Sequence, residues 1–286
     1  MPPAPITGES FAGVPFPADV QARIINLLID SAPFAASLTR QGTNRSAVAW
    51  PTAKPSNAAW LRELEPFPEA NMGDDAYVVG VCKLGQVLDL SNESVSDASI
   101  NLTGELARLL RDGLSRDLDL GLLLGRGAAS HEPIGVVGVA QEAGGEDLLT
   151  AVTVARGQIG DAGGGADTIA WSATGLAEAD ADRDSNGQLV YPNGFARTVG
   201  LNPVVVPQLA TPLVFDKSRC FLVVRNDVAV DVSRDWHFHM DATSLRVKGR
   251  FAAAIPDRNK AIRKLAIGDA RRAAEAASTA KARPAK

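Results

Sequence analysis

The chain has 286 residues, 45% of them hydrophobic, 5% aromatic and 22% charged, with a formal net charge of −4. That composition supplies a sizeable core and excludes global disorder, while the scarcity of aromatics argues against a base-stacking platform for nucleic acid. The charge demands neither a basic nor an acidic partner, but it is uneven: residues 256–286 hold nine Lys or Arg against three Asp or Glu, a surplus of +6 that leaves −10 on residues 1–255.

Residues 1–17 contain five prolines and read as an extended arm, since proline fixes φ and removes a backbone donor. Their lack of a basic stretch followed by an apolar one is unlike a signal peptide, and no apolar run reaches the length of a membrane span, so cytoplasmic synthesis and assembly is the expectation. Asp19 can cap a short helix with Val20, Ile24, Leu27 and Leu28 on one apolar face, closed by Pro33. "RSAVAWP" and "DAYVVGVCKLGQVLDL" read as strands. If Asp75 to Leu90 is continuously extended it spans on the order of 50 Å, too long for a hairpin packed inside a small globule. A projecting two-stranded arm buries little of itself and needs another surface to lie on.

The clearest helix lies in "SDASINLTGELARLLRDGLSRDLDLGLLLGRG", where Leu102, Leu106, Leu109, Leu110, Leu114, Leu118 and Leu122 recur in steps of three or four. Ser96 or Asp97 can cap it and the glycines at 125 and 127 end it, giving a rod of roughly 36 Å. Gly113 and Gly121 argue against a simple coiled coil. A helix around Asp147–Ile159, a strand "TIAWS" and a short helix "ATGLAEAD" follow. "PVVVP", "CFLVV", "VAVDV", "SLRVKGRFAAAI" and "AIRKLAI" read as strands, and no repeat period is visible. The class is α+β. The basic tail reads as a solvated terminus, with contact to packaged nucleic acid or an acidic neighbour as the alternative.

Motifs for chemistry are sparse. In "DRDSNGQLVYPN", Asp182, Asp184, Asn186 and Gly187 match positions one, three, five and six of a calcium loop, but Asn193 stands where a bidentate Glu is needed. Asp, Asn and Gly also favour a plain turn, which is the preferred reading. "WHFHMD" would place His237, His239 and Asp241 on one strand face, a weak metal corner, with a neutral loop or an interface cluster as the preferred reading. "GDAGGGAD" at 160–167 follows a helix and is a linker, not a phosphate cradle. Cys82 and Cys220 are the only cysteines, so there is no disulfide framework. No nucleophile elbow or catalytic pair stands out. No catalytic, cofactor-binding or metal residue is assigned, no cofactor is expected, and the chain does not read as an enzyme.

Taken in order, the proline-rich arm, the long hairpin, the long helix ending "LDLGLLLGRG" and the step "PIGVVGVA" resemble the major capsid proteins of tailed bacteriophages. There a helix ends in a "LLNGDG"-like turn, with counterparts here at Leu122 to Gly127, followed by a glycine step, here Ile134 to Val137. "DTIAWSATGLAEADADRDSNGQLVYPNGFARTVGLNPVVVPQL" is similar to that family's axial domain, with Arg183, Asp184, Gly187 and Tyr191 near a "KDxxGxY" turn and Gly200 to Pro207 at a "GxPVVP" step.

The resemblance implies the Hong Kong ninety-seven fold, with residues 1–25 as N-terminal arm and 26–44 as connection to the hairpin. It makes 45–90 the extended β-hairpin loop, 91–130 the peripheral domain with its spine helix and 131–230 the axial domain. Residues 231–268 are then return strands of the peripheral domain and 269–286 the basic tail. It implies a structural subunit that self-assembles as pentamers and hexamers into an icosahedral virion shell around double-stranded DNA, without sequence specificity and without a membrane. Scaffold, portal and decoration proteins are further partners of such shells. Some relatives cross-link through a lysine near the loop tip, but Glu65 stands there and Lys54 and Lys83 are off the motif, so cross-linking is not expected. Nor is there room for the long N-terminal scaffolding segment of some relatives. The alternatives are an encapsulin-type compartment, a gene-transfer-agent shell of the same fold, or a calcium-dependent binding module.

Overall fold

A computed structural model describes residues 29–51, 59–67, 76–93, 102–207, 209–225 and 229–267. The expected helix over residues 20–28, the caps Ser96 and Asp97, the whole proline-rich arm and the basic tail lie outside these residues.

Helical backbone at residues 29–30 ends just before Pro33, as the sequence suggested, and a second short helix, α1 (Pro33–Ser37), opens at Pro33 itself. Proline suits a first helical position because its missing N–H would have no partner there. It leads into strand β1 (Thr39–Thr43). Strands β2 (Ala47–Pro51) and β3 (Ala76–Gly80) pair as an antiparallel hairpin, Val48 opposite Val79 and Trp50 opposite Tyr77. After Val81 the chain continues as β4 (Cys82–Ser91) and changes partner. The extension read from the sequence is therefore present, but the hairpin occupies only its first half.

Helix α2 (Leu102–Leu124) is the long amphipathic rod. Leu110, Leu114, Leu118 and Leu122, one every four residues, are buried with Leu123, whereas Leu109 points into solvent. Ser115 and Asp119 share the buried face. The helix ends where Gly125 donates to Gly121 O (3.0 Å) and Gly127 takes φ +89°. A short return then runs antiparallel to the exit: Gly127 N donates to Pro133 O (3.2 Å) and Gly135 N to Gly125 O (2.8 Å). A Cβ on Gly125 would sit 2.3 Å from Pro133 O, and one on Gly135 would sit 2.7 Å from Gly125 N. The glycine-rich "LGRG" and "PIG" steps are two backbones in direct contact.

Next come α3 (Val136–Val139), β5 (Gln141–Gly145), α4 (Leu148–Asp161), β6 (Thr168–Trp171) and α5 (Ala173–Asp180). The caps are local: Asp147 accepts from Thr150 N (2.7 Å) and Ser172 from Gly175 N (3.1 Å). The chain continues through α6 (Phe195–Thr198), β7 (Asn202–Val205), β8 (Leu213–Phe215), β9 (Phe221–Arg225), β10 (Ala229–His237), β11 (Ala242–Ala254), α7 (Arg258–Ala261) and β12 (Ile262–Ile267).

Two five-stranded sheets result. In the first, β11 is the axis: β4 pairs along one edge, while β10 and then β9 pair along the other, with β1 parallel to β9. The second has the order β5-β12-β8-β6-β7, so the last strand belongs with β5 and β8, away from the first sheet. Leucines of α2 pack against Leu245, Val247 and Phe251 of β11 in one large cluster that also holds Phe34 and Phe215. A second cluster joins Val152, Ala155 and Ile159 of α4 to Ile169, Val214 and Leu265 of the second sheet. In a third, Val79 and Trp50 of the hairpin cover Val223, Ala252 and Ala254 on the face of the first sheet opposite α2. Among the described residues no helix is long and apolar enough to cross a membrane.

Candidate functional site

The motifs with possible chemistry are used up by local structure. In the 182–193 segment Asp184 Oδ1 accepts the amides of Asn186 and Gln188, both at 2.9 Å, and Gly187 takes φ +78°. The Arg183 guanidinium donates to Gly187 O at 2.7 Å, placing a cation within the loop. This is a self-satisfied turn, ending against Tyr191, whose ring packs edge-on to Phe195 at 5.1 Å.

The expected alignment of His237, His239 and Asp241 is corrected by the backbone. Strand β10 stops at His237 and Phe238–Met240 form a 3-10 turn, which breaks the two-residue alternation. His237 Nε2 lies 3.2 Å from Asp89 Oδ2, the His239 ring is 6.2 Å away, and Asp241, at φ +46°, accepts from Asn92 Nδ2. In "GDAGGGAD", Gly163 takes φ +88°, and a Cβ on Gly164 would sit 2.0 Å from Lys260 O. Its glycines end α4 and admit close backbone packing. Cys220 is buried, which pushes its thiol up to about 12; Cys82 is half-buried and its thiol is raised for the same reason.

What remains are surfaces. In residues 59–67, Glu65 N donates to Arg62 O (3.1 Å) while Glu65 Oε2 accepts from Arg62 N (2.9 Å), closing a turn. Leu64 in that turn sits at φ +68°, a conformation that costs an L side chain about 1–2 kcal/mol. Trp60 and Leu64 are 101% exposed and Phe67 85%, so among the described residues three large apolar side chains of this turn are left in solvent. Glu65 occupies this turn where a cross-linking lysine was looked for; Lys83 is on β4 opposite Arg250, and Lys54 lies outside the described residues.

The second surface was missed in the sequence. Arg246, Lys248 and Arg250 alternate along β11 with Leu245, Val247 and Phe251; the latter face α2, and the cations face away. The period-two pattern in "SLRVKGRF" was its signal.

A model of the phage capsid family matches residues 12–267. The chain belongs to that family. Solved structures similar to it include a chain from Mycobacterium phage Adephagia, with TM-score 0.69, 19% identity and coverage of 83% of this chain and 90% of that one. A chain from Microbacterium phage Oxtober96 gives 0.67 and 17%, covering 83% and 91%. The capsid of a native GTA particle gives 0.66 and 13%, covering 92% and 94%. No protein of curated function matches. The α+β architecture is thus that of phage capsid chains, and the protein is a shell-forming major capsid protein whose role is structural.

Proposed function

We propose that this capsid protein is the repeating subunit of an icosahedral tailed-phage head, arranged as pentamers and hexamers around double-stranded DNA and assembled in the host cytoplasm. The observation that carries the reading is the turn holding Trp60, Leu64 and Phe67 out in solvent. A chain that exposes such residues in a hydrogen-bonded turn is built to bury them against another molecule, and a subunit repeated around symmetry axes supplies one to every copy. In this reading α2 with the first sheet is the peripheral domain, the second sheet with α4 is the axial domain, and residues 45–81 lie across a neighbour. Scaffold, portal and decoration proteins would be secondary partners.

Likeness to the capsid of a GTA particle supports a second reading with the same shell and different contents. Electron microscopy of the protein expressed alone, followed by sizing of the contents of particles from the natural source, tests both. Uniform closed shells are expected, with genome-length DNA for a phage head and short heterogeneous fragments for the alternative. A chain that stays monomeric alone and with its co-encoded partners would overturn the shell reading.

A further inference from the structure

We infer that Arg258 and Tyr77 are positioning residues that couple the hairpin to the second sheet, so that the placement of α4 and that sheet sets the direction of β2 and β3. The use of such a coupling, aiming the hairpin at a neighbour, rests on the shell reading; the coupling itself is a property of the single chain. One of the links between the two sheets runs from Ile255 to Ala261, between the end of β11 and the start of β12. Tyr77 of β3 holds this link twice. Ile255 N donates to the Tyr77 hydroxyl (3.4 Å), and the Arg258 guanidinium carbon lies 5.9 Å from the centre of the Tyr77 ring, a cation–π distance. Against the first sheet the hairpin packs through apolar groups: Trp50 stacks on Phe221, and Val79 meets Val223, Ala252 and Ala254. Apolar burial is non-directional, so it holds the hairpin down without fixing its angle. A donor and a cation on one ring do fix it.

The link is in turn locked to the second sheet. Asp216 N donates to Ala261 O (2.8 Å), and Gly164 passes so close to Lys260 O that a Cβ there would sit 2.0 Å away. Arg263, on β12 and 5% exposed, carries the tie further. Its Nη1 donates to the carbonyls of Arg258 (3.1 Å) and Ile262 (2.8 Å), and its Nε to Gln158 Oε1 of α4 (2.9 Å). Burying a guanidinium among neutral oxygens is costly. What it maintains here is a planar fork that fixes the Arg258 carbonyl relative to α4.

Tyr77, Arg258, Arg263 and Gln158 are therefore in contact one after another, from the hairpin to the helix that packs on the second sheet. A contiguous path of this kind transmits a displacement only if its members move together, and each joint here is directional. Arg258 is itself exposed, where a cation over a ring adds little to the stability of the subunit. Its place over Tyr77 suits aiming the hairpin and contributes little to holding it.

Hydrogen exchange read by mass spectrometry on the unassembled full-length chain tests the coupling. Arg258→Gln is expected to speed exchange of the hairpin amides in 47–51 and 76–80 roughly threefold to fivefold, with the melting temperature lowered by no more than about 4 °C. Gln158→Ala lies on α4, away from the hairpin, and should speed the same amides at least about twofold. Gln158→Glu gives Arg263 a carboxylate and should keep them at the wild-type rate or slower. Val154→Ala, a partly exposed change on the same helix, should leave them unaltered. Hairpin exchange untouched by Gln158→Ala, or a Gln158→Glu chain as fast as Gln158→Ala, would overturn the coupling. So would a rise spread evenly over β10 and β11, which marks general destabilisation. The rates are read on single chains, so the two readings fail separately: a chain that never forms shells sinks the shell reading alone, and unchanged hairpin exchange sinks the coupling alone.

Discussion

Asp119 is 2% exposed in the middle of α2, and its two oxygens accept the amides of Phe34 and Ala35, each at 2.9 Å. Helix α1 has no side-chain cap of its own, so a carboxylate 85 residues away serves as one. Burial raises the Asp119 pKa to about 6, outweighing the two amide bonds that lower it. A folded-state value above the ordinary ~3.9 means the folded chain holds this proton more tightly. The contribution is therefore complete below pH ~4 and lost as pH rises through about 6, on the order of 3 kcal/mol across that window. Asp119→Asn removes the titration but sets an amide NH2 against a backbone N–H, which costs about 1–3 kcal/mol. Urea unfolding of the subunit at pH 5 and pH 8 is expected to show the Asn variant clearly weaker at pH 5, with the gap narrowing at pH 8. A gap independent of pH would mean that Asp119 titrates like a surface carboxylate.

At the scale of elements, the stripe Leu110, Leu114, Leu118, Leu122 couples α2 to β11, and Leu122 is 0% exposed. Leu122→Ala should cost about 2–5 kcal/mol, read as a lower denaturant midpoint, while Leu109→Ala should stay within about 0.5 kcal/mol. Gly135→Ala should be costly for a different reason, since its Cβ would meet the backbone of Gly125 and force the helix exit apart. A loss of ~1–3 kcal/mol is expected, and a neutral result would show that the return after α2 can shift. These elements also divide what the sequence revealed from what it hid. The rod of α2 and the glycines after Leu124 were legible because periodicity and φ are local properties, whereas the cap Ser172 was read as the end of a strand. Leu109 was assigned to the buried face because steps of three and four admit both 109 and 110, and only packing against β11 chooses. The exchange of partners between β3 and β4 was hidden, since strand pairing across some 160 residues leaves no local mark. Asp119 was unreadable for the same reason. The cationic face of β11 was half legible: the alternation of Arg246, Lys248 and Arg250 was in the sequence, but Lys83 joined it only through register.

For the whole molecule, the question is which residues serve the subunit and which the shell. Trp50 stacks on Phe221 at 5.9 Å and packs, partly buried, against a core cluster within the chain, whereas Trp60, ten residues on, is fully exposed. The hairpin is thus anchored at its base by intrachain burial and left unsatisfied at its tip. Its two tryptophans should respond oppositely to the same change. Trp50→Ala removes a packed ring, and a loss of about 3–5 kcal/mol in subunit stability is expected, with assembly failing as a consequence. Trp60→Ser together with Phe67→Ser removes no burial in the subunit, so its melting temperature should be unchanged or slightly higher. The apolar area withdrawn from intersubunit contact is on the order of 150–250 Å² per ring, enough to abolish shells at concentrations where the wild-type chain forms them. Thermal melting of the subunit and electron microscopy of the assembly reaction, run on both variants, separate the two roles. Shells from the Trp60 and Phe67 variant at wild-type yield would show that the tip is ornamental to assembly, and the burial that closes the shell would then have to come from elsewhere on the subunit.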